Sequence, residues 1–432
     1  MKYLFATILI FVESSGASVL TAKDVIELLQ TSGNRWRQVE AQGQDAASKL
    51  EQAQAALSPF VSFSARQMAA KINPVQYGLT PPSDIDVVGI GSVGLQGGIA
   101  LWDSASSARI DAAIANTKIQ AANEKHFKTE LSLLALLQLL TLQKIKRQQD
   151  VIGSNLDRDL KILYAAKRKF ASGFGIDLDV QRAEGLVELQ KFKQLEAETA
   201  FIKACKDLGN TLTKSDLGCE VDQLKVSMID ENKLEEAGNK YLTDKPDFIA
   251  SQATVTAAEA LVKEAKKESN PKIVLFGETS FVGASIPSGL GHPMTGLAGI
   301  QLTIPILSGG LHSGRVQEQS VKVSMASFQR DQLANDSLNQ LKVAVAQLKS
   351  ARAALSLSKR QIEISDKELD FAEKKHGRGS ISSLELNTAQ INMANAHELN
   401  VQVQFAYEAA KLNYCRAIGN LEHCTQKTES EK

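Results

Sequence analysis

The stretch GFGIDLDVQRAE, Gly173 to Glu184, lies over GSISSLELNTAQ, Gly379 to Gln390, at an offset of 206 residues. Leu178 then meets Leu384, Asp179 meets Glu385 and Ala183 meets Ala389, while far upstream Arg109 falls on Arg315. Ser58-Pro59 before one apolar run parallels Asn270-Pro271 before another, and Cys205 with Gly209-Asn210 matches Cys415 with Gly419-Asn420 at an offset of 210. Self-similarity at one period marks a duplicated unit. Each half reads as helix, two strands, very long helix, glycine turn and returning helix. The repeats cover 18–209 and 245–419, separated by a middle segment 210–244 and followed by a tail 420–432.

Outward from the turn, the long helices carry the strongest physical signal. Between Arg315 and His376 there is no Gly or Pro, and at 1.5 Å per residue that run extends roughly 90 Å. Leu341, Leu348, Leu355, Ile362 and Leu369 recur every seventh residue, which predicts a coiled-coil seam. A partner stripe three residues earlier starts with Leu338 and Val345 but continues with Arg352, Lys359 and Asp366. The counterpart helix of the first half runs from about Ser104 to Ser172, interrupted only by Gly153. Each long helix reverses at a glycine into Leu178 to Leu208 or Leu384 to Ile418, giving two antiparallel helical hairpins.

Four strand-like runs lie between the helices: Pro59 to Gln67, Asp86 to Leu101, Pro271 to Gly283 and Thr295 to Ile306. Their imperfect period of two suits a sheet facing two environments. Pro74, Pro81, Pro82, Pro287 and Pro293 fall in the two loops joining them, Pro59, Pro271 and Pro305 bound strands, and Pro246 suits a first helical position. Four strands cannot close a barrel with a usable interior. A transmembrane sheet must close, since an open edge in lipid leaves backbone groups unsatisfied. The strands are therefore shared between chains, or they are not in a membrane; three chains supply twelve. The fold class predicted is mainly α with a small β-barrel.

Composition narrows the function. Among 432 residues, Lys+Arg and Asp+Glu both number 49, so no basic excess points to nucleic acid. The hydrophobic content of 43% supports a large core, and aromatics at 5% are sparse for a stacking surface. The longest apolar run, LSLLALLQLLTL from Leu131 to Leu142, is too short to span a bilayer as a helix. Lys2, the apolar stretch Tyr3 to Val12 and the small residues Ser14 to Ser18 predict a signal peptide over 1–17, cleaved after Ala17. An exported chain enters an oxidising compartment, where cysteines pair.

These residues resemble the TolC-like outer membrane efflux proteins, from about Leu20 to Gly419. Thr21-Ala-Lys-Asp-Val-Ile-Glu-Leu-Leu resembles the family's opening helix, with Thr21 as N-cap. Ile304-Pro-Ile-Leu-Ser-Gly-Gly-Leu311 resembles the strand exit before the second long helix, Leu101-Trp-Asp103 its first-repeat counterpart, and Lys245-Pro-Asp247 the "R-P-D" that opens the helix after the middle region. The Gly-x4-Leu-Asp/Glu turn occurs twice, through Gly173 and Gly379. Departures are Leu307 for an aromatic, Lys245 for Arg, and Gln181 and Asn387 for Leu. The resemblance implies a homotrimer whose shared twelve-stranded barrel sits in outer membrane lipid and continues as a periplasmic helical tunnel. It further implies a periplasmic adaptor, an inner-membrane RND or ABC transporter that drives export, no cofactor and no catalytic residues.

In such a duct the turns form the periplasmic tip. Lys167, Arg168 and Lys169 precede one turn, and Lys374, Lys375 and Arg378 surround the other. Cations at helix C-termini suit the helix dipole; the functional alternative is a basic crown for an adaptor. The family's contact positions fall on Ser172, Gly173 and Phe174, with Arg378, Gly379 and Ser380. Its constricting carboxylate falls on Glu385, which in a threefold ring would repel anions; a solvated helix face is the alternative. Asp179 is the first-repeat equivalent, lying off the axis, and the second acidic position is Thr388 here.

Cys205, Cys219, Cys415 and Cys424 straddle the ends of the returning helices. Cys205–Cys219 and Cys415–Cys424 disulfides are expected, with Cys205–Cys415 as the competing arrangement. His423 beside Cys424 matches no metal-ligand spacing. Gly89-Ile-Gly-Ser-Val-Gly94 matches a dinucleotide fingerprint but sits in an alternating strand with no helix before Trp102, so curvature explains it better. Three readings stand: an export channel for efflux or type I secretion, a periplasmic coiled-coil scaffold without a pore, and a Rossmann enzyme supported by that glycine motif alone.

Overall fold

The computed structural model describes residues 20–72, 86–214, 217–220, 242–284, 294–419 and 421. The expected signal peptide, the five loop prolines, most of the middle segment and Cys424 lie outside the described residues. The chain is mainly helical with one small antiparallel sheet. Its elements run α1 (Ala22–Ser32), α2 (Asn34–Ala55), β1 (Phe60–Ile72), β2 (Asp86–Trp102), α3 (Ser104–Ala171), α4 (Asp177–Leu212), α5 (Pro246–Lys267), β3 (Lys272–Ala284), β4 (Met294–Thr303), α6 (Leu311–Gly377) and α7 (Ser383–Ala417). Gly153 leaves α3 unbroken, and α5 begins at Pro246, where the missing N–H costs no hydrogen bond. The halves differ at their start: the first opens with two helices split at Gly33, the second with α5 alone.

Two units emerge, each drawing on both halves of the sequence. One comprises Met1–Glu40, Lys125–Pro246 and Ala334–Lys432; the other comprises Ala41–Glu124 and Asp247–Leu333.

In the first unit the run Leu131 to Leu142 is apolar on both sides because it is covered on both. Leu133, Leu136 and Leu140 pack with Leu341, Ala344 and Leu348 of α6 and Leu412 and Cys415 of α7. Leu131, Ala135, Leu139 and Leu142 pack with Val25 and Leu29 of α1 and Leu208 and Leu212 of α4. Thr21 caps α1 as expected, in a box that Asp24 completes: its hydroxyl accepts from the Asp24 N–H while Asp24 accepts from the Thr21 N–H at 2.9 Å.

The predicted leucine seam is buried at Leu341, Leu348 and Leu369. Its partner stripe corrects the sequence reading. The second row lies four residues before each seam position, not three, at Ser337, Ala344, Ala351, Ser358 and Ser365, and continues to Ala372; Arg352, Lys359 and Asp366 are exposed. Small side chains let neighbouring helices approach closely, and the buried hydroxyls find partners. Ser358 Oγ donates to Leu355 O at 3.0 Å and lies 3.1 Å from Asn400 Oδ1, while Ser365 Oγ donates to Ile362 O at 3.1 Å.

In the second unit the strands pair in the order β1-β2-β3-β4, all antiparallel. Its registers place Phe60, Gly98, Phe276 and Gly299 in one row. Each ring covers the glycine beside it: a Cβ on Gly98 would meet Phe60 at 3.3 Å, and one on Gly299 would meet Phe276 at 3.5 Å. The strand helix junctions are pinned by ion pairs. Lys272 reaches Asp103 at 2.8 Å, and the repeat-matched arginines Arg109 and Arg315 clamp Glu264 and Glu268 near the end of α5.

Candidate functional site

Both hairpin turns close by the same backbone device. In the first, the Gly173 N–H donates to Phe170 O and the Phe174 N–H to Lys169 O, each at 3.0 Å. In the second, Gly379 N–H donates to His376 O at 3.0 Å and Ser380 N–H to Lys375 O at 2.9 Å, so every partner repeats at the offset of 206. This pairing is the Schellman end, which needs a left-handed residue; Gly173 has φ 77° and Gly379 φ 69°.

The six cations at these ends are unequal. Lys167 pairs with Glu184 at 2.7 Å, Lys374 pairs with Asp370 at 2.6 Å, and Lys375 lies over the Phe371 ring at 4.3 Å. Arg168 and Arg378 are exposed and make no ion pair among the described residues. Phe174 is 90% exposed at the point of the first turn, with exposed Phe170, Ile176 and Leu178 around it. Ser172 folds back, its hydroxyl donating to Arg168 O at 3.0 Å. The end therefore offers apolar side chains among guanidinium groups, an amphipathic docking chemistry.

The two hairpins meet there through a contact the sequence reading missed. Lys169 Nζ lies 3.2 Å from His376 Nε2. An ammonium only donates, so the imidazole nitrogen is the acceptor in this contact. His376 sits beside Lys375 in a run of cations, and its chain position gave no hint of a partner on the other hairpin.

Glu385 acquires a local task beside its expected one. Its carboxylate accepts from the Ser382 N–H at 3.0 Å while its own N–H donates to Ser382 Oγ at 3.2 Å, a capping box at the start of α7. The first repeat has Ile176 at the equivalent position, and no side chain caps α4. Asp179 instead lies 3.9 Å from Arg182. The cysteines sit at the opposite ends of the returning helices. Cys205 is bonded to Cys219 with a Cα–Cα distance of 6.0 Å, and Cys415 is also disulfide-bonded.

The sheet is the second candidate surface. One face carries Val61, Phe63, Val93, Leu95, Leu275, Phe281, Ile300 and Leu302, all exposed; the other carries Ser62, Ser64, Arg66, Gln96, Glu278, Ser280 and Thr295. Leu297, Phe60 and Phe276 interrupt the polar face. Among the described residues β1 pairs only with β2 and β4 only with β3, so both outer edges present unpaired backbone.

A mainly helical chain with two glycine-turned hairpins and one small antiparallel sheet is a fold shared with the solved channels below. Residues 238–420 match the family described as outer membrane efflux protein, so the resemblance read from the sequence holds. Among solved structures, the outer membrane protein VceC from Vibrio cholerae superposes with a TM-score of 0.79 at 16% identity, covering 92% of this chain and 96% of that one. The CmeC outer membrane channel of Campylobacter jejuni gives 0.80 at 17% identity, covering 93% and 86%. The open-state MtrE outer membrane channel of Neisseria gonorrhoeae gives 0.71 at 16% identity, covering 94% and 91%. Among proteins of curated function, none matches the chain in sequence.

Proposed function

We propose that three copies of this chain form an outer membrane duct that passively carries substrates handed over by an inner-membrane transporter, of the RND or ABC class, and a periplasmic adaptor. The observation that carries this reading is the sheet. Strands of 13, 17, 13 and 10 residues suffice to cross a bilayer when tilted. One face is apolar, the other polar, and both edges are open. Such a sheet is unsatisfied alone in water or in lipid. Closing β1 of one copy on β4 of the next satisfies the edges, turns the apolar face to lipid and lines a lumen with polar groups. In this reading the hairpin ends, with Arg168, Ser172, Gly173, Phe174, Arg378, Gly379 and Ser380, receive the adaptor. Glu385 contributes a carboxylate ring at the aperture and Asp179 lies off the axis. The repeats at 18–209 and 245–419 supply equivalent hairpins.

Planar-bilayer conductance of the detergent-purified protein, with its mass measured alongside, tests the proposal. A trimer with discrete cation-preferring openings is expected. Glu385→Gln keeps the capping box, since an amide serves there as well, and removes only the charge. Lost cation preference in that variant supports the ring; unchanged preference discards the ring and keeps the duct. A water-soluble monomer without conductance overturns the duct and leaves a pore-free scaffold.

A further inference from the structure

Within the first unit, α6 carries a second heptad row. Val343, Ser350, Leu357, Ile364 and Phe371 each follow a residue of the leucine seam by two positions, which at about 100° per residue puts them on the opposite side of the helix. Val343, Leu357, Ile364 and Phe371 are all more than half exposed. Helix α4 is built the same way. Val180, Ala183, Val187 and Gln190 bury one side, and Lys193 reaches Glu398 of α7 at 2.8 Å on a second. Phe192, Leu195 and Ile202 stand at least 58% exposed on a third. Apolar rows at helical spacing, left outside the chain's own packing, mark contact surfaces.

The two rows match in height and in charge. The contact between Lys169 and His376 sets the hairpin ends level. Leu195 lies 22 residues beyond Gly173 and Leu357 lies 22 before Gly379, while Ile202 and Ser350 each lie 29 away. The chain leaves its turn in α4 and approaches it in α6, so the rows are complementary as an antiparallel pair, with the large Ile202 level with the small Ser350. Arg360 and Lys367 border the α6 row, and Glu188 and Glu196 border the α4 row. Arg360, Lys367 and Glu196 are exposed and make no ion pair among the described residues. Glu188 pairs with Lys191 of its own helix at 2.8 Å.

We propose that these rows join two copies of the chain, α4 of one copy lying lengthwise on α6 of the next. Phe192, Leu195 and Ile202 pack on Leu357 and Ile364, and the carboxylates of Glu188 and Glu196 face the cations of Lys367 and Arg360. The two surfaces differ and sit on one chain, so the contact is head to tail. Rotation about an axis along the helices preserves height and closes such contacts into a ring. The proposal rests on the duct reading in taking copies to associate, and it adds to the sheet edges a second, helical contact with a defined register.

The test uses the full chain in detergent, with Leu195→Cys and Leu357→Cys combined; among the described residues no native cysteine is free. Air oxidation should convert most of the chain into covalent dimers and trimers on a non-reducing gel. Leu195→Cys with Val343→Cys, two heptads out of register, should give less than a tenth as much. A protein that is trimeric by mass yet gives no ladder, or gives equal ladders with both pairs, overturns this contact and leaves the duct. A ladder from a chain that does not conduct keeps the contact and overturns the duct. A monomer by mass overturns both. If the cysteine pair does not fold, charge reversal decides. Arg360→Glu should lower the trimer population several-fold, and Glu196→Arg added to it should restore the trimer; a trimer population that Arg360→Glu leaves unchanged overturns the proposal.

Discussion

Asp103 shows how one side chain can anchor a junction. Burial pushes its carboxyl up, but the Lys272 ammonium and the N–H and hydroxyl of Ser106 outweigh that and hold it down at about 2. A carboxyl depressed in the folded state adds stability above its ordinary value of 3.8. That contribution is lost as the pH falls from there toward 2. Asp103→Asn should therefore cost about 2 kcal/mol at neutral pH, and the difference from the parent should vanish in melts taken near pH 2. Asp159 has the opposite sign. Burial raises its carboxyl despite Arg158 and Gln190, so the folded state resists ionising it, and stability falls as the pH rises above the ordinary value. Asp159→Asn should raise the melting temperature at neutral pH and not at acid pH. At this scale the sequence was only partly readable. Glu385 stood out as a carboxylate after a turn, but Ser382-Ser383-Leu384-Glu385 is also an S-x-x-E capping box that was open to view. The Lys169–His376 contact was not, because nothing local marks a partner 207 residues away.

Periodicity served the helices well, and failed where side chains are small. The leucines of α6 were evident at every seventh residue, but their partners are alanines and serines that look like surface. Hydrophobic pattern seeks large apolar groups, whereas a close helix contact is defined by what is missing from it. Ser365, fully buried, gives the sharpest check. Ser365→Leu adds bulk to a filled seam and should cost about 1–3 kcal/mol in denaturant unfolding. Leu348→Ala in the adjacent row of the same helix should cost about 2–5 kcal/mol. Strands were found within a few residues, although β1 continues to Ile72 and β4 ends at Thr303, before Pro305 can interrupt the ladder. The Phe60–Gly98–Phe276–Gly299 row could not be foreseen, because it exists only once three registers are set.

At the scale of the whole molecule the duplication was legible from a dozen matched residues, and the structure repeats it down to the hydrogen bonds of the turns. The Cys205–Cys219 bridge ties residues 217–220 to α4, while the Leu20 N–H donates to Glu220 O at 2.7 Å. Removing it as the double variant Cys205→Ser/Cys219→Ser should lower stability by about 3 kcal/mol, the value for a loop of this size, read by urea denaturation under oxidising conditions. The division of the apolar residues has a further consequence, for the chain's journey. Among the described residues no helix is long and apolar enough to cross a membrane. The twelve residues from Leu131 to Leu142 fall short, and the strands alternate. A polypeptide bound for an outer membrane has to pass through the inner one first, where a longer greasy segment would be held by the translocation machinery. In the duct proposed above, the lipid-facing surface is written one residue in two, so the chain would pass the first bilayer unrecognised and become suited to the second only after folding.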